Sequence, residues 1–387
     1  MARASPTAPR RSAAARTRRP PSAAAGEREE PDQARRDTMT STQDLNYKPR
    51  LRHCTFFVPN RGGDNDNGDL DGVLDGILMI VGDQHFELSH EGAELKTFLD
   101  FKRYLDGRHT VEQISEITGI SVEDTLAIVT NFAEQGLMRE ADTALERIPT
   151  ETFLKQIDKS CAMWTEQIGY HRLWSGLENR TFRKEVFLGL ILETYHYINS
   201  ASRHISTAIA HCYDPAWKKM LSEYLAEEYD HSWMARDSLV NMGLSKEEVE
   251  NAHPLIGTWS WTNNLCEIAR EDTLGYLACT KLFEARGIET LDGANTLQRL
   301  AVDYGFPEDC LAPLVSHVAE DVKANHTGLL EEALADRDYV PAWQAHRAVN
   351  NLHDLKHSFD QYNYGIIQYY SDVSNYIPRL KVDYFSL

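Results

Sequence analysis

The sequence predicts a mainly α protein, a bundle of about seven helices preceded by a small α+β module. Three observations predict it. From Thr150 to about residue 376, apolar residues recur at helical spacing and no run of strand-like alternation interrupts them. Residues 50–145 instead mix β-rich stretches with three short helical patterns. The first 38 residues carry nine Arg, no Lys, much Ala and Pro, and no apolar periodicity at all.

In chain order, residues 1–45 read as a disordered tail, with Met39 as an alternative true start that would make what precedes it upstream sequence. In the module 46–145, Leu51–Val58 and Gly76–Val81 are β-rich, and His85-Phe-Glu-Leu-Ser89 alternates as a half-buried strand does. The Gly/Asn/Asp-rich stretch 60–71 between them is a loop. Glu91–Leu105 is helical and ends at Asp106-Gly107. Thr110 caps Val111–Thr118, and Ser121 with Glu123 opens a helix that Gly136 stops. Leu137-Met-Arg-Glu140 reads as a closing strand, which completes a winged-helix-like arrangement.

The remainder, 146–387, is predicted to hold helices over about 150–176, 181–212, 215–242, 260–287, 292–303, 307–336 and 340–376. Pro215 stands at a helix start, Gly243 at an end, and Ser245 with Glu248 forms a capping box.

Composition narrows the function. The net charge is -19; the tail sets nine Arg against five acidic residues, so the rest carries about -23. That surface is a poor partner for nucleic acid or an anionic membrane. No apolar run approaches the roughly 20 residues of a membrane span. Six cysteines without a CxxC pair are not a disulfide framework, which points to a reducing cytoplasm.

Chemistry concentrates at three places. Glu228 and His231 stand three apart, and His317 and Asp321 four apart. On a helix each pair shares a face with Cβ atoms about 5–6 Å apart. Glu284 follows the apolar run Tyr276–Phe283. Imidazole and carboxylate from several facing helices is how bundles build non-haem iron or manganese sites. Read singly, each group is equally an ordinary solvated face. His353 and His357 also stand four apart, but no Glu follows His353, and Asn350, Asn351, Asp354 and Lys356 around them read as surface. His171 invites a haem-type axial role, set aside because no Gly-rich helix accompanies it.

Phe86-Glu-Leu-Ser89, Leu105-Asp-Gly107, Thr110-Val-Glu-Gln-Ile114 and Val129–Leu137 resemble the small peptide-recognition domain of ribosomal peptide modification and of pyrroloquinoline quinone assembly. The resemblance implies a leader peptide bound as an added strand; a packing or dimerising domain, with a homodimer as its product, is the plain alternative.

The order Glu228-x-x-His231, 52 residues to Glu284 and 32 more to His317 with Asp321 resembles the haem-oxygenase-like diiron oxidase and oxygenase superfamily, whose members bind iron instead of haem. The likeness covers about residues 150–376 and includes Leu192-Glu-Thr-Tyr-His196, Glu227-Glu228-Tyr-Asp-His231 and Asp237-Ser-Leu239. It implies Glu228, His231, Glu284, His317 and Asp321 as metal ligands, with one or two Fe(II) ions and dioxygen as co-substrate. Members often carry a further His three residues after the Asp; here that residue is Ala324, and His326 lies about 200° further round a regular helix. Glu193, His196, Glu227 and His326 are the additional candidates, as ligands or as partners of ligands. The implied activity is oxidation of an amino acid, free or joined to a peptide or carrier, in natural-product biosynthesis. The same bundle also serves metal-free enzymes resembling the cofactorless oxidase of quinone-cofactor assembly or a thiamin-degrading hydrolase. A non-enzymatic peptide-binding adaptor is the third reading.

Overall fold

The computed structural model describes residues 45–53, 55–57, 77–81, 84–88, 92–139, 146–283, 291–316 and 328–383. The chain divides into two compact units, Met1–Ala144 and Leu145–Leu387.

In the first unit β1 (Thr55–Phe57), β2 (Ile77–Val81) and β3 (Gln84–Leu88) form an antiparallel sheet in the order β1-β2-β3. Thr55 faces Ile80 across one pair and Met79 faces Phe86 across the other. Helices α1 (Gly92–Lys102), α2 (Val111–Thr118) and α3 (Val122–Glu134) follow. The capping chemistry is as the residue types require. Thr110 and Gln113 cap α2 reciprocally, and Gly119 ends it at φ 72°. Ser121 accepts from the Asp124 amide to start α3. The expected closing strand is reduced to a single bridge between Leu51 and Met138. Met79, Val81 and Phe86 from the sheet pack with Phe101, Ile114, Val129 and Phe132 from the helices.

The second unit is helical: α4 (Thr150–Gly169), α5 (Arg172–Glu178), α6 (Lys184–Asn199), α7 (Ala201–His211), α8 (Pro215–Glu228), α9 (Ser232–Asn241), α10 (Lys246–Asn251), α11 (Ile256–Glu271), α12 (Thr273–Phe283), α13 (Leu291–Asp303), α14 (Leu329–Leu334) and α15 (Ala342–Ser371). Most of the long predicted helices are broken once. His171 caps α5 where 150–176 was expected to run through, Ser200 divides α6 from α7, residues 229–231 divide α8 from α9, and extended Asp272 (φ -157°, ψ 112°) divides α11 from α12. Apolar periodicity passes through such breaks almost undisturbed, because a one- to three-residue turn shifts the buried face little.

Two short strands also interrupt the helices. β4 (Arg147–Pro149) pairs antiparallel with β5 (Tyr339–Pro341), and each leads through its proline into α4 and α15. Three residues are too few to show alternation in sequence.

The 30-residue α15 is the axis of the unit, about 45 Å long. Ala345, Ala348, Leu352, Leu355 and Phe359 lie in one core with α4, α7, α8, α11 and α12. Tyr362, Ile366, Ile367 and Tyr370 continue the same three-and-four spacing into a second core with α5, α6, α9 and α13. The axis is approached closely. A Cβ at Gly257 of α11 would stand 2.7 Å from the Gln361 carbonyl oxygen, so only glycine fits there.

Glu193, on α6, is fully buried between these elements. Its carboxylate accepts from the Leu255 amide at 3.0 Å, from Thr258 Oγ1 and from Tyr370 Oη at 2.7 Å. Burial pushes its carboxyl upward, and those three donors with the Arg379 charge oppose the rise. One side chain thus joins α6, the start of α11 and the end of α15. Removing it strands three buried donors, so Glu193→Ala is expected to lower stability by about 3 kcal/mol, and Glu193→Gln by about 1 because an acceptor remains. Urea denaturation of the two variants measures this, and equal midpoints for both would contradict it.

Candidate metal centre

Glu228 is the last residue of α8 and His231 the residue before α9, so the pair straddles a helix break. The expected continuous helix 215–242 is not formed. The Tyr229 amide still bonds to Leu225 at 3.0 Å, after which the next turn tightens to bonds from Trp233 to Asp230 and from Met234 to His231. The backbone stays right-handed (Tyr229 φ -63°, ψ -25°; His231 φ -58°, ψ -15°), so the two side chains still meet. Glu228 Oε2 lies 2.9 Å from His231 Nδ1. Glu228 is 9% exposed, whereas its neighbour Glu227 is exposed, so the Glu-Glu pair divides between interior and solvent.

The spacing fits a metal. An imidazole nitrogen and a carboxylate oxygen at about 2.0–2.2 Å from one ion, in adjacent positions, stand about 3 Å apart. A carboxylate and a half-buried imidazole are also a donor set suited to iron.

A residue that the sequence reading passed over completes the surroundings. His204, on α7, is buried at 2% exposure, with Nδ1 2.8 Å from Tyr276 Oη of α12. Its ring meets Trp261 edge-on at 5.9 Å and Phe283 at 5.8 Å. Burial lowers its pKa to about 3, and the nearby negative charge of Glu228 pulls the other way. Neutral His204, Tyr276 and Glu228 therefore bring three helices together around groups able to hold or pass a proton. The signal in sequence was faint: His204 sits beside Ile205 and four residues before Ala208 on the buried face of α7.

Of the other predicted residues, Glu284, His317, Asp321 and His326 lie outside the described residues. Their flanks are described. α12 ends at Phe283, residues 312–316 are helical, and α14 begins at Leu329. Lys281 in the last turn of α12 binds Asp158 of α4 at 2.6 Å and also Glu331 of α14. The end of α12 thus lies beside α14. Glu193 is occupied by the three donors above. His196 is held neutral, its pKa lowered to about 4 by burial and then by the charges of His253 and Lys381. His171 accepts the Leu173 amide at Nδ1 (3.2 Å) and packs edge-on against Tyr364, which makes it a helix cap. Among the described residues no three His, Cys, Asp or Glu side chains converge on one point.

Residues 189–350 match the family model described as iron-containing redox enzyme. That span holds Glu228, His231, Glu284, His317 and Asp321, and supports the haem-oxygenase-like superfamily for the helical unit. No curated protein matches the chain. Among solved structures, the chain is similar to a domain of unknown function with a haem oxygenase-like fold from Shewanella denitrificans (14% identity, 58% of this chain and 97% of that one, TM-score 0.49). It is also similar to a CADD-like protein of unknown function from Nostoc punctiforme (14%, 57% and 98%, 0.46) and a TenA homolog from Pseudomonas syringae (10%, 57% and 93%, 0.45). No described helix is long and apolar enough to cross a membrane.

The buried imidazoles give the unit an acid limit. Burial lowers the pKa of His171 to about 4, against about 6.5 in the unfolded chain. As pH falls below about 6.5 the unfolded state takes up the proton first, so the stability contributed by neutral His171 is present above 6.5 and is lost progressively toward 4. His196 and His204 act in the same direction. His171→Asn keeps a capping side chain and removes one titrating group, so its urea midpoint is expected to fall less than that of the parent between pH 7 and 5. Parallel declines would refute this.

Proposed function

We propose that the helical unit is an iron-dependent oxidoreductase acting on an amino acid, free or joined to a peptide or carrier. The observation that carries the reading is the pair of buried Glu228 and half-buried His231 at ligand spacing, inside the span that matches the iron-containing redox family. In this reading Glu228, His231, Glu284, His317 and Asp321 hold iron, as one or two ions. Bound there, Fe(II) supplies the one-electron chemistry that activates dioxygen. The protein's own residues do the rest. Trp261, Tyr276 and Phe283, all buried, pack around His204 and keep water from it. The His204–Tyr276 hydrogen bond fixes the Tyr276 hydroxyl and holds a proton between two neutral groups. Glu228 and His231, 2.9 Å apart, are each positioned by the other before an ion binds.

The first unit supports a peptide-linked substrate. Among the described residues β1 and β3 each pair with β2 alone, so the sheet has strand edges of the kind that accept an added strand. A second reading, a metal-free enzyme on the same bundle, draws on the His204–Tyr276–Glu228 arrangement, which offers acid and base groups without any ion.

Iron content after anaerobic loading separates the two. The parent protein is expected to retain at least one iron per chain, and His231→Ala and His317→Ala to lose it. Equal iron in parent and variants would remove these ligands from the proposal; no iron in the parent would leave the metal-free reading. Deleting residues 1–145 is expected to weaken binding of a leader peptide encoded beside the gene by tenfold or more, read by fluorescence anisotropy, on the order of one lost β-augmented strand. Undiminished binding after deletion would rule out the peptide role.

A further inference from the structure

The surface reading holds for His357, Asn350 and Asp354, but Asn351 and Lys356 are buried and His353 is half-buried. His353 and His357 stand one turn apart on α15 with their Nε2 atoms 3.1 Å from each other and ring centroids 4.5 Å apart. His353 is half-buried, its ring 5.6 Å from that of Trp164 on α4, while His357 opens to solvent. Asp360, the next turn along, places Oδ2 3.4 Å from Nδ1 of His357. That same oxygen is held at 2.6 Å by Lys356 Nζ, whose side chain is only 7% exposed.

We propose that His353 and His357 form a second metal site, separate from the Glu228–His231 pair, for a borderline divalent cation such as Zn(II), Ni(II) or Cu(II). Three features carry this. Two imidazole nitrogens bound at about 2.0–2.1 Å to one ion, at an angle near 100°, stand about 3.1 Å apart, the separation found here. The Asp360 carboxylate lies on the Nδ1 side of His357 at 3.4 Å, so it favours a proton at Nδ1 and the Nε2 lone pair toward His353. This is the outer-shell carboxylate that commonly orients a metal-bound histidine. The buried Lys356 fixes that carboxylate in turn, so the orienting group is held by the interior and not by a mobile surface chain. Without an ion, one Nε2 must donate its hydrogen to the other. On metal binding that hydrogen moves to Nδ1 of His353, both nitrogens present lone pairs, and water fills the remaining positions. Nitrogen donors without thiolate or a carboxylate set favour these ions over Mg(II) or Ca(II).

Zinc titration of the full chain against a chromophoric chelator tests the site. The parent is expected to bind one equivalent that His357→Ala and His353→Ala each weaken at least about tenfold, and that Asp360→Asn weakens about tenfold through His357. His357 is exposed, so its variant tests the site without touching the core; circular dichroism checks that Asp360→Asn is folded. Cu(II) bound in the same place is expected to show electron paramagnetic coupling to two nitrogens, reduced to one in either His variant. Zinc uptake unchanged in His357→Ala overturns the proposal. So does loss of that equivalent in His231→Ala instead.

Discussion

A helical bundle that buries polar side chains must give each of them a partner, and here that requirement falls mainly on what faces α15. Its long apolar edge serves two cores, but apolar contact alone leaves a helix free to slide or rotate. Glu193 removes that freedom at one end, since its carboxylate binds an amide, a threonine hydroxyl and a tyrosine hydroxyl from two other elements. Near the middle Lys356 and Asp360 satisfy each other beside the interior. The tight approach of Gly257 to the Gln361 backbone fixes the depth of packing between α11 and α15. Directional bonds and one close backbone contact therefore set the register in which the other helices present their side chains.

The candidate metal centre depends on that register. Glu228 and His231 meet through a local tightening between α8 and α9, but His204 near Glu228, and what packs around His204, come from far along the chain. His204 is brought by α7, Tyr276 and Phe283 by α12, and Trp261 by α11. The salt bridges from Lys281 to Asp158 and Glu331 hold the end of α12 against α4 and α14.

The two imidazole-bearing constellations differ in how they are built. At Glu228–His231 a carboxylate is itself a candidate ligand, near the neutral, deeply buried His204. At His353–His357 both candidate ligands are imidazoles, and the carboxylate lies behind one of them. The first has Glu228 buried and His231 half-buried, beside an interior lined by His204 and its aromatic neighbours. The second is open on the His357 side and suits reversible binding of an ion from solution.

Much of this was legible in the sequence. Helical periodicity with its caps gave the class, and the boundaries of α2, α3 and α10 follow Thr110, Ser121 and Ser245, because a capping side chain acts within one turn of its own position. The Glu228–His231 pair was also legible, since residues three apart meet on nearly any right-handed turn, continuous or broken. The breaks at Ser200, residues 229–231 and Asp272 were not, nor were the three-residue strands, because features that short leave the apolar period intact. Tertiary structure alone decided that Glu193 ties three elements together, that His204 lies against Tyr276 near Glu228, and that Asp360 and Lys356 stand behind His357. The first two join residues 62 or more positions apart. The last depends on Lys356 being buried, which its solvated-looking neighbours concealed. A sequence fixes which chemistry one turn of helix can offer; which turns face one another, and which polar groups lose water in doing so, is settled only when the whole bundle packs.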